Sequence, residues 1–329
     1  MTKPFSCGII GCGSVSVMHC QGILQAGEHL DAFCDIKPEK ADAHRQKYAP
    51  HAKVFSDWRD FLANSGCDAI HICTPHYLHA EMAIEALKMG KHVFLEKPMC
   101  TTPEDLDKLI AVSEVSQGQI AVCFQNRFLA CNQVLYRMVK EFGGPTHARG
   151  VVTWKREAPY YTESGWRGKW ETECGGVMIN QAIHTLDLLL GLFGEMPETI
   201  DATTANHHLR GVIEVEDTCE ARMVFSGART ALFYATTAYG EDAPNLLEVK
   251  CGEHRILLYG DQLFCDGKLV PTQEEEVTSL GKKCWGNGHF RLIGMFYDSI
   301  REGKPTPVSP ASASLAVRVL LECYQSSNK

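Results

Sequence analysis

The chain has 329 residues, 45% hydrophobic and 22% charged, with 32 Lys and Arg against 40 Asp and Glu and a formal net charge of -8. This is an ordinary globular composition, and the length exceeds what one core usually serves, so two domains are expected. An acidic balance without a basic tract argues against a nucleic-acid partner, and no stretch of about 18 apolar residues is present to span a membrane.

The opening "FSCGIIGCGSVSVM" has the apolarity of a signal peptide, but its glycines fall at a turn spacing and no small-residue cleavage pattern follows. It reads instead as a strand, a glycine turn and a helix. Gly11 and Gly13 match the first two glycines of G-x-G-x-x-G, with Ser16 in place of the third. They permit a tight turn and the approach of a dinucleotide pyrophosphate to a helix N-terminus. "LDAFCD" is the next strand, and Asp35 ends it about 20 residues on, where a carboxylate bonds the adenosine ribose hydroxyls and repels a 2′-phosphate. NAD is therefore favoured, with NADP kept open by the neighbouring Lys37.

"DAIHICT", "HVFLE" and "IAVCFQ" continue the strands, and "YLHAEMAIEALKMG" is a helix closing on Gly90. Alternation of β and α at this spacing implies a parallel sheet covered on both faces, ending near residue 125. "CTPHYLH" stops one strand at Pro75, at the carboxyl edge where open α/β sheets bind ligands. "HVFLEKPM" is less ordinary. An apolar strand ends in Glu96, Lys97 and Pro98, although a charged pair is costly to bury and a plain surface turn favours Gly, Asn or Asp. A lysine there can donate to a substrate hydroxyl, a nicotinium charge nearby would lower its pKa, and the proline stiffens the turn, with a cis bond as one means.

From about residue 146 the pattern changes to Thr-, Val- and Tyr-rich alternation in "THARGVVTWKRE", "TIDATTANH", "TCEARMVFS", "ARTALFYATTAY", "NLLEVKCGE" and "RILLYG". This implies a mostly antiparallel sheet, interrupted by one long helix over about 175–192. On that helix Asn180, His184 and Asp187 fall at i, i+4 and i+7, a polar stripe opposite Ile179, Ile183, Leu186, Leu189 and Leu190. Such a stripe needs a ligand or a network to satisfy it. "GHFRLIGMFYDSIREG" and "SASLAVRVLLECYQSS" close the chain as two helices, the last expected to pack back toward the first domain.

Fifteen cysteines without a C-x-x-C, most inside apolar strands, read as reduced buried thiols of a cytoplasmic protein. His76, His79, His207 and His208 lack the carboxylate or cysteine company of a metal site, so they read as exposed or hydrogen-bonded and no metal is expected.

Taken together, "GIIGCGSVS", Asp35, "CTPHYLH", "EKP", "FQNRF", "WRGKWETECGG", the His184–Asp187 helix and "FYDSIREGKPTPV" resemble the Gfo/Idh/MocA oxidoreductases, the relatives of glucose–fructose oxidoreductase and inositol dehydrogenase. The resemblance covers nearly the whole chain. It implies a Rossmann domain over 1–125 and an α/β substrate-binding and dimerisation domain over 126–329, whose open sheet face forms a homodimer or part of a homotetramer. It implies that Lys97 and His184 face the nicotinamide as catalytic residues, with the helix of the second domain closing over the strand end. Asn126, Arg127, Tyr160, Asn180 and Asp187 would bind substrate. Gly11, Gly13, Ser14, Val15, Asp35, Ile36, Thr74, Pro75, His76, His79, Glu96, Lys97, Trp166 and Arg167 would bind the cofactor. Two departures stand out: Asn180 where the family usually has Asp, and Ala182 where it usually has Gly. An amide cannot be a base, so proton transfer falls to His184 or Lys97. The activity implied is hydride transfer between a secondary carbinol carbon of a sugar, cyclitol or sugar derivative and NAD(P). The alternatives are an NAD-binding ligand sensor without turnover, or a lyase or epimerase that uses NAD transiently. "INQAIHTLD" looks closer to the sugar and nucleotide-sugar dehydrogenases than to inositol dehydrogenase.

Overall fold

The computed structural model describes residues 3–273 and 287–327. The chain divides into two compact units, one of Met1–Gln125 with the segment reaching Ala313, the other starting at Asn126 and taking in Ser314–Lys329.

In the first unit, β1 (Ser6–Ile10), α1 (Ser16–Gln25), β2 (His29–Cys34), α2 (Pro38–Tyr48), β3 (Lys53–Phe55), α3 (Trp58–Asn64), β4 (Ala69–Ile72), α4 (His79–Lys88), β5 (His92–Leu95), α5 (Pro103–Val115) and β6 (Ile120–Val122) alternate along the chain. Among the described residues the sheet has the order β3-β2-β1-β4-β5-β6 with every pair parallel. The order reverses between β1 and β4, so their carboxyl ends diverge into the crevice that dinucleotides occupy in doubly wound sheets. Ile9, Ile70, Ile72, Val93, Phe94 and Leu95 are fully buried, which accounts for the near-continuous apolar strands. β3, "KVF", was not foreseen. Three residues are too few to display a period.

In the second unit, α6 (Ala130–Glu141), β7 (His147–Thr153), α7 (Ala158–Thr162), α8 (Val177–Asn180), α9 (Ile183–Phe193), β8 (Thr199–Ala205), β9 (Thr218–Phe225), β10 (Arg229–Thr236), β11 (Leu246–Cys251), β12 (His254–Tyr259), β13 (Gln262–Cys265) and β14 (Lys268–Val270) follow. The sheet order is β14-β13-β12-β11-β7-β10-β9-β8, antiparallel except where β7 and β10 run parallel. α9 covers one face, with Leu189 against Gly150 of β7. The strands β13 and β14 extend the edge beyond the last one read from sequence.

Two expectations need correction. The helix expected over about 175–192 is two helices, because Ala182 donates to the Val177 carbonyl five residues back and not to Met178. That wide turn at Gln181–Ala182 changes the phase between Asn180 and the residues after it. The second concerns α10 (Gly288–Glu302) and α11 (Pro310–Ser327). α10, the penultimate helix, belongs to the first unit, although the second domain was expected to run to residue 329. Its buried face of Leu292, Ile293, Phe296 and Tyr297 packs on α1, with Ile293 against Gly22. Most of α11 stays with the second unit, where Ser326 and Ser327 accept from the backbone of Ala202 and Thr204 on β8.

Candidate active site

The glycine turn after β1 is set by crowding. Gly11 has φ +92°, and a Cβ there would stand 2.6 Å from the Cys73 carbonyl oxygen, so only glycine lets the turn after β1 pass the end of β4. Gly13 has open space beside it, and no side chain caps α1. Ser16, in the third glycine's place, is buried and its hydroxyl donates to the Gly13 carbonyl at 2.6 Å, tying the loop to the helix. Asp35 accepts from the Cys12 N–H through one oxygen and from the Lys37 N–H through the other, both at 2.9 Å. Ser14 and Ile36 are exposed and Val15 half-buried along the same edge.

At the end of β5, Glu96 still donates its N–H to Ile72 of β4 at 3.0 Å, and the Lys97–Pro98 peptide is cis. His79 clamps this corner to the neighbouring loop, its Nδ1 lying 2.6 Å from the Pro98 carbonyl and its Nε2 2.8 Å from the Thr74 carbonyl. His76 is buried beside it, at 5.9 Å between ring centroids, and Pro75 caps the short turn that carries it. Burial pushes His79 below the usual histidine range against the pull of the two carbonyls. Glu96 is almost wholly buried, and its Oε1 accepts from His19 Nε2 at 2.9 Å while His289 Nε2 lies 3.8 Å away. Burial pushes the Glu96 carboxyl up, but the His19 hydrogen bond and the Lys97 ammonium hold it well below the ordinary range. The strand therefore ends in an ionised carboxylate, next to Lys97. Among the described residues His19, Glu96 and Cys123 cluster within 4.8 Å, with the first two joined by that hydrogen bond; His254, Cys265 and Asp266 form a more exposed group.

In the second unit the polar stripe is divided. Asn180, at the end of α8, donates through Nδ2 to Glu173 Oε1 at 2.5 Å and lies 3.4 Å from the Tyr160 hydroxyl. Gln181 donates to the same hydroxyl at 3.1 Å, leaving the Tyr160 O–H free to point elsewhere, and Arg167 lies 4.4 Å above the Tyr160 ring. Trp166 sits in the same loop, its carbonyl accepting from Thr172 at 2.6 Å. Glu173 is fully buried and its other oxygen takes the Gly168 N–H at 2.5 Å. His184 is half-buried in the first turn of α9. One turn on, Asp187 is buried and both its oxygens are held by Arg127, at 2.7 Å from Nε and 2.5 Å from the terminal nitrogen. Burial pushes the Asp187 carboxyl above its ordinary value, against the pull of that guanidinium. Asn126 adjoins this pair, its carbonyl accepting from Asn132 at 2.6 Å.

Asp187 is thus engaged by Arg127 through both oxygens, and Asn180 is separated from it by the break at Ala182. Sequence reasoning passed over Glu173, although it lies in the quoted "WRGKWETECGG", and also Gln181, His19, His71 and Tyr297. A histidine inside an apolar strand, as in "DAIHICT", was the one available signal. Glu216 was missed too. Its carboxylate accepts from the Gly176 and Met178 N–H groups and the Tyr324 hydroxyl, fixing the start of α8, and burial raises it to about 7. A Cβ at Gly176 would lie 1.8 Å from the Glu216 carbonyl oxygen, which explains the second glycine of "CGG".

Residues 5–124 match the family model described as "Oxidoreductase family, NAD-binding Rossmann fold", and residues 136–262 match the "GFO/IDH/MocA C-terminal domain". The chain belongs to the Gfo/Idh/MocA oxidoreductase family. Its first unit is accordingly an NAD-binding Rossmann domain. Among its relatives, "Uncharacterized oxidoreductase YrbE" of Bacillus subtilis is 29% identical over 201 residues, 59% of this chain and 55% of that protein. The D-glucoside 3-dehydrogenase of Escherichia coli is 24% identical over 99% of this chain and 96% of its own. Among solved structures, the WlbA dehydrogenase of Bordetella pertussis, in complex with NADH and UDP-GlcNAcA, superposes with a TM-score of 0.84 at 27% identity, covering 99% of this chain and 97% of the other. No helix among the described residues is long and apolar enough to cross a membrane.

Proposed function

We propose that this protein is an NAD-dependent dehydrogenase that oxidises a secondary hydroxyl of a sugar, cyclitol or sugar derivative, or reduces the corresponding ketone. The observation that carries this reading is the place of Lys97, at the carboxyl edge of an NAD-binding sheet beside the strand reversal, next to a buried, ionised Glu96. Bound NAD supplies the hydride acceptor. Lys97 as an ammonium holds and polarises the reacting oxygen, His184 takes the hydroxyl proton, and fixed donors act most strongly where charge develops on that oxygen. A sugar suits the second unit's polar groups. Tyr160 keeps an O–H to donate, Asn180 is turned by Glu173 so that its carbonyl oxygen accepts, and Gln181 Oε1 is a buried acceptor without a partner among the described residues. The near full-length likenesses to a glucoside dehydrogenase, to a myo-inositol 2-dehydrogenase and to a nucleotide-sugar complex support a sugar, cyclitol or sugar derivative as the substrate class. A screen of sugars, nucleotide sugars and cyclitols with NAD, followed at the NADH absorbance, tests it. Solvent deuterium entering product without net NADH would replace it with a transient-NAD lyase or epimerase, and binding without either would leave a sensor.

Cofactor preference rests on Asp35. The expected result is tighter binding of NAD than NADP, with the preference relaxed in Asp35→Ser, read by fluorescence titration of both dinucleotides. Tighter NADP binding by the unaltered protein would mean that Lys37 outweighs the carboxylate.

We further infer a cytoplasmic homodimer, or a tetramer built from dimers. The described cysteines are thiols outside any disulfide and mostly buried, as a reducing compartment allows. On the open face of the second sheet Tyr234, Val151, Leu246 and Tyr259 are paired in one row across β10, β7, β11 and β12, and Leu232 in the adjoining row is 56% exposed. Glu248, held between Arg149 and Arg255, flanks that apolar row. An apolar row inside a polar rim is the pattern of a surface that pairs with its own copy. Light scattering at micromolar concentration should give a multiple of the chain mass, and a species of one chain alone would refute it.

A further inference from the structure

Behind Lys97, five side chains from five elements of the first unit stand in hydrogen-bond sequence. Cys7 Sγ of β1 lies 3.1 Å from the Tyr297 hydroxyl of α10, which lies 2.8 Å from His71 Nε2 of β4. His71 Nδ1 lies 2.9 Å from His19 Nδ1 of α1, and His19 Nε2 lies 2.9 Å from Glu96 Oε1. Cys7, His19, His71 and Tyr297 are completely buried.

The chemistry of each group sets the position of its proton. Glu96 as a carboxylate can only accept, so His19 Nε2 carries a hydrogen. With His19 neutral, as the relay requires, its Nδ1 is bare and accepts from His71 Nδ1–H. His71 Nε2 is bare in turn and accepts from Tyr297, whose oxygen is left only to accept toward the Cys7 thiol, a thiol that also has the Phe5 carbonyl as an acceptor at 3.5 Å. Every donor points the same way, toward Glu96. Burial supports the neutral forms, pushing His71 well below and Cys7 and Tyr297 well above their ordinary values. The other groups facing Glu96 are His79 from α4, Cys73 after β4, Cys123 after β6, and His289 from α10, which burial pushes down to about 4; burial likewise raises both thiols. Lys97 follows directly in the chain and faces the carboxylate as a cation.

We propose that His19 and His71 are positioning residues for the reaction: their one-way relay holds Glu96 as a charged acceptor, and that carboxylate keeps Lys97 an ammonium. The inference rests on the catalytic reading of Lys97. A burial of two histidines this deep is otherwise a cost that apolar side chains of the same volume would avoid.

The test has two independent arms. In the protein labelled with 15N-histidine, His19 is expected as the Nε2–H tautomer and His71 as the Nδ1–H tautomer, with His71 staying neutral because burial pushes it well below its ordinary value. Assignment uses His19→Gln and His71→Asn. Equal tautomers, or titration of His71 near the ordinary histidine value, would overturn the relay, as would one tightly held equivalent of zinc on His19. In the second arm the alkaline limb of the pH–rate profile should move down by about one unit or more in His19→Leu, because loss of the donor lets Glu96 take a proton. His19→Gln, whose amide can still donate, should restore it, and an unmoved limb in His19→Leu would sink the claim. Should His19→Leu fail to fold, Tyr297→Phe removes a single oxygen and should shift the His71 Nε2 resonance while the His19 tautomer persists; no shift would break the chain at that link. The tautomers are read without turnover, so a failure of the Lys97 assignment and a failure of the relay give different results.

Discussion

In His184→Ala, turnover is expected to fall by roughly two to four orders of magnitude, the range for loss of an acid–base group, with comparable damage in Lys97→Ala. NAD affinity should stay nearly unchanged in both, since neither residue belongs to the Gly11–Gly13 turn or touches Asp35. Initial rates at saturating cofactor, with a separate dinucleotide titration, separate the two quantities. Near-normal turnover in both variants would remove the active site from these residues. Asn180→Asp provides the discriminating comparison. The family resemblance alone suggests that an aspartate here would be tolerated, but the structure leads to the opposite expectation. Glu173 Oε1 is 2.5 Å from the Asn180 amide nitrogen, so the substitution would set two carboxylates at hydrogen-bond distance in a buried place. Both cannot ionise, one must hold a proton near neutral pH, and the pair titrates as a unit. Asn180→Asp should therefore lower turnover and add a titration to the pH–rate profile. Asn180→Asp with Glu173→Gln exchanges amide and carboxylate and should recover most of the loss. Equal activity of Asn180→Asp and the unaltered protein would show that Glu173 does not govern this position.

The Arg127–Asp187 pair should show the largest stability effect. Asp187 is 3% exposed at its side chain and Arg127 20%, and the two form a bidentate fork between the turn before α6 and the first half of α9. Arg127→Ala leaves a carboxylate buried without its guanidinium, a change that costs about 3–5 kcal/mol. Arg127→Lys should recover part of this only, because an ammonium cannot reproduce the planar fork. Arg127→Ala with Asp187→Leu, which removes the stranded charge as well, should be more stable than Arg127→Ala alone. Urea unfolding followed by far-UV circular dichroism gives the comparison. If Arg127→Ala unfolds at the same midpoint as the unaltered chain, the pair is not what anchors α9.

The legible parts of this protein are those where one residue's neighbours in sequence are also its partners in space. The apolar strands of the first sheet, the turn of Gly11 and Gly13, Asp35 at the next strand end and the Glu96–Lys97–Pro98 corner are all local. Each announces itself because a buried parallel strand must be apolar, a left-handed turn must be glycine, and a charge ending such a strand needs a reason. The alternation in the second half likewise specified a half-covered sheet. Its parallel β7–β10 pair was beyond reach, because a strand's period of two says which face is buried and nothing about the direction of a neighbour 83 residues away in sequence.

The site itself was legible as residue types and not as an arrangement. Asn180, His184 and Asp187 had helical spacing, but a single i→i−5 turn at Ala182, governed by how Glu216 and Gly176 seat α8, decided that they are not one stripe. Asp187 then took Arg127, and Asn180 took Glu173. The same holds for His19, His71 and Tyr297, which lie in separate elements, His71 and Tyr297 226 residues apart, yet complete one hydrogen-bond sequence to Glu96. Sequence by itself determined the fold class, the dinucleotide turn and the family, because short-range sterics and apolar periodicity carry those. Tertiary structure alone decided which buried polar atom satisfies which other. That pairing follows from desolvation, which obliges every buried donor and acceptor to find a partner wherever the packed elements happen to bring one.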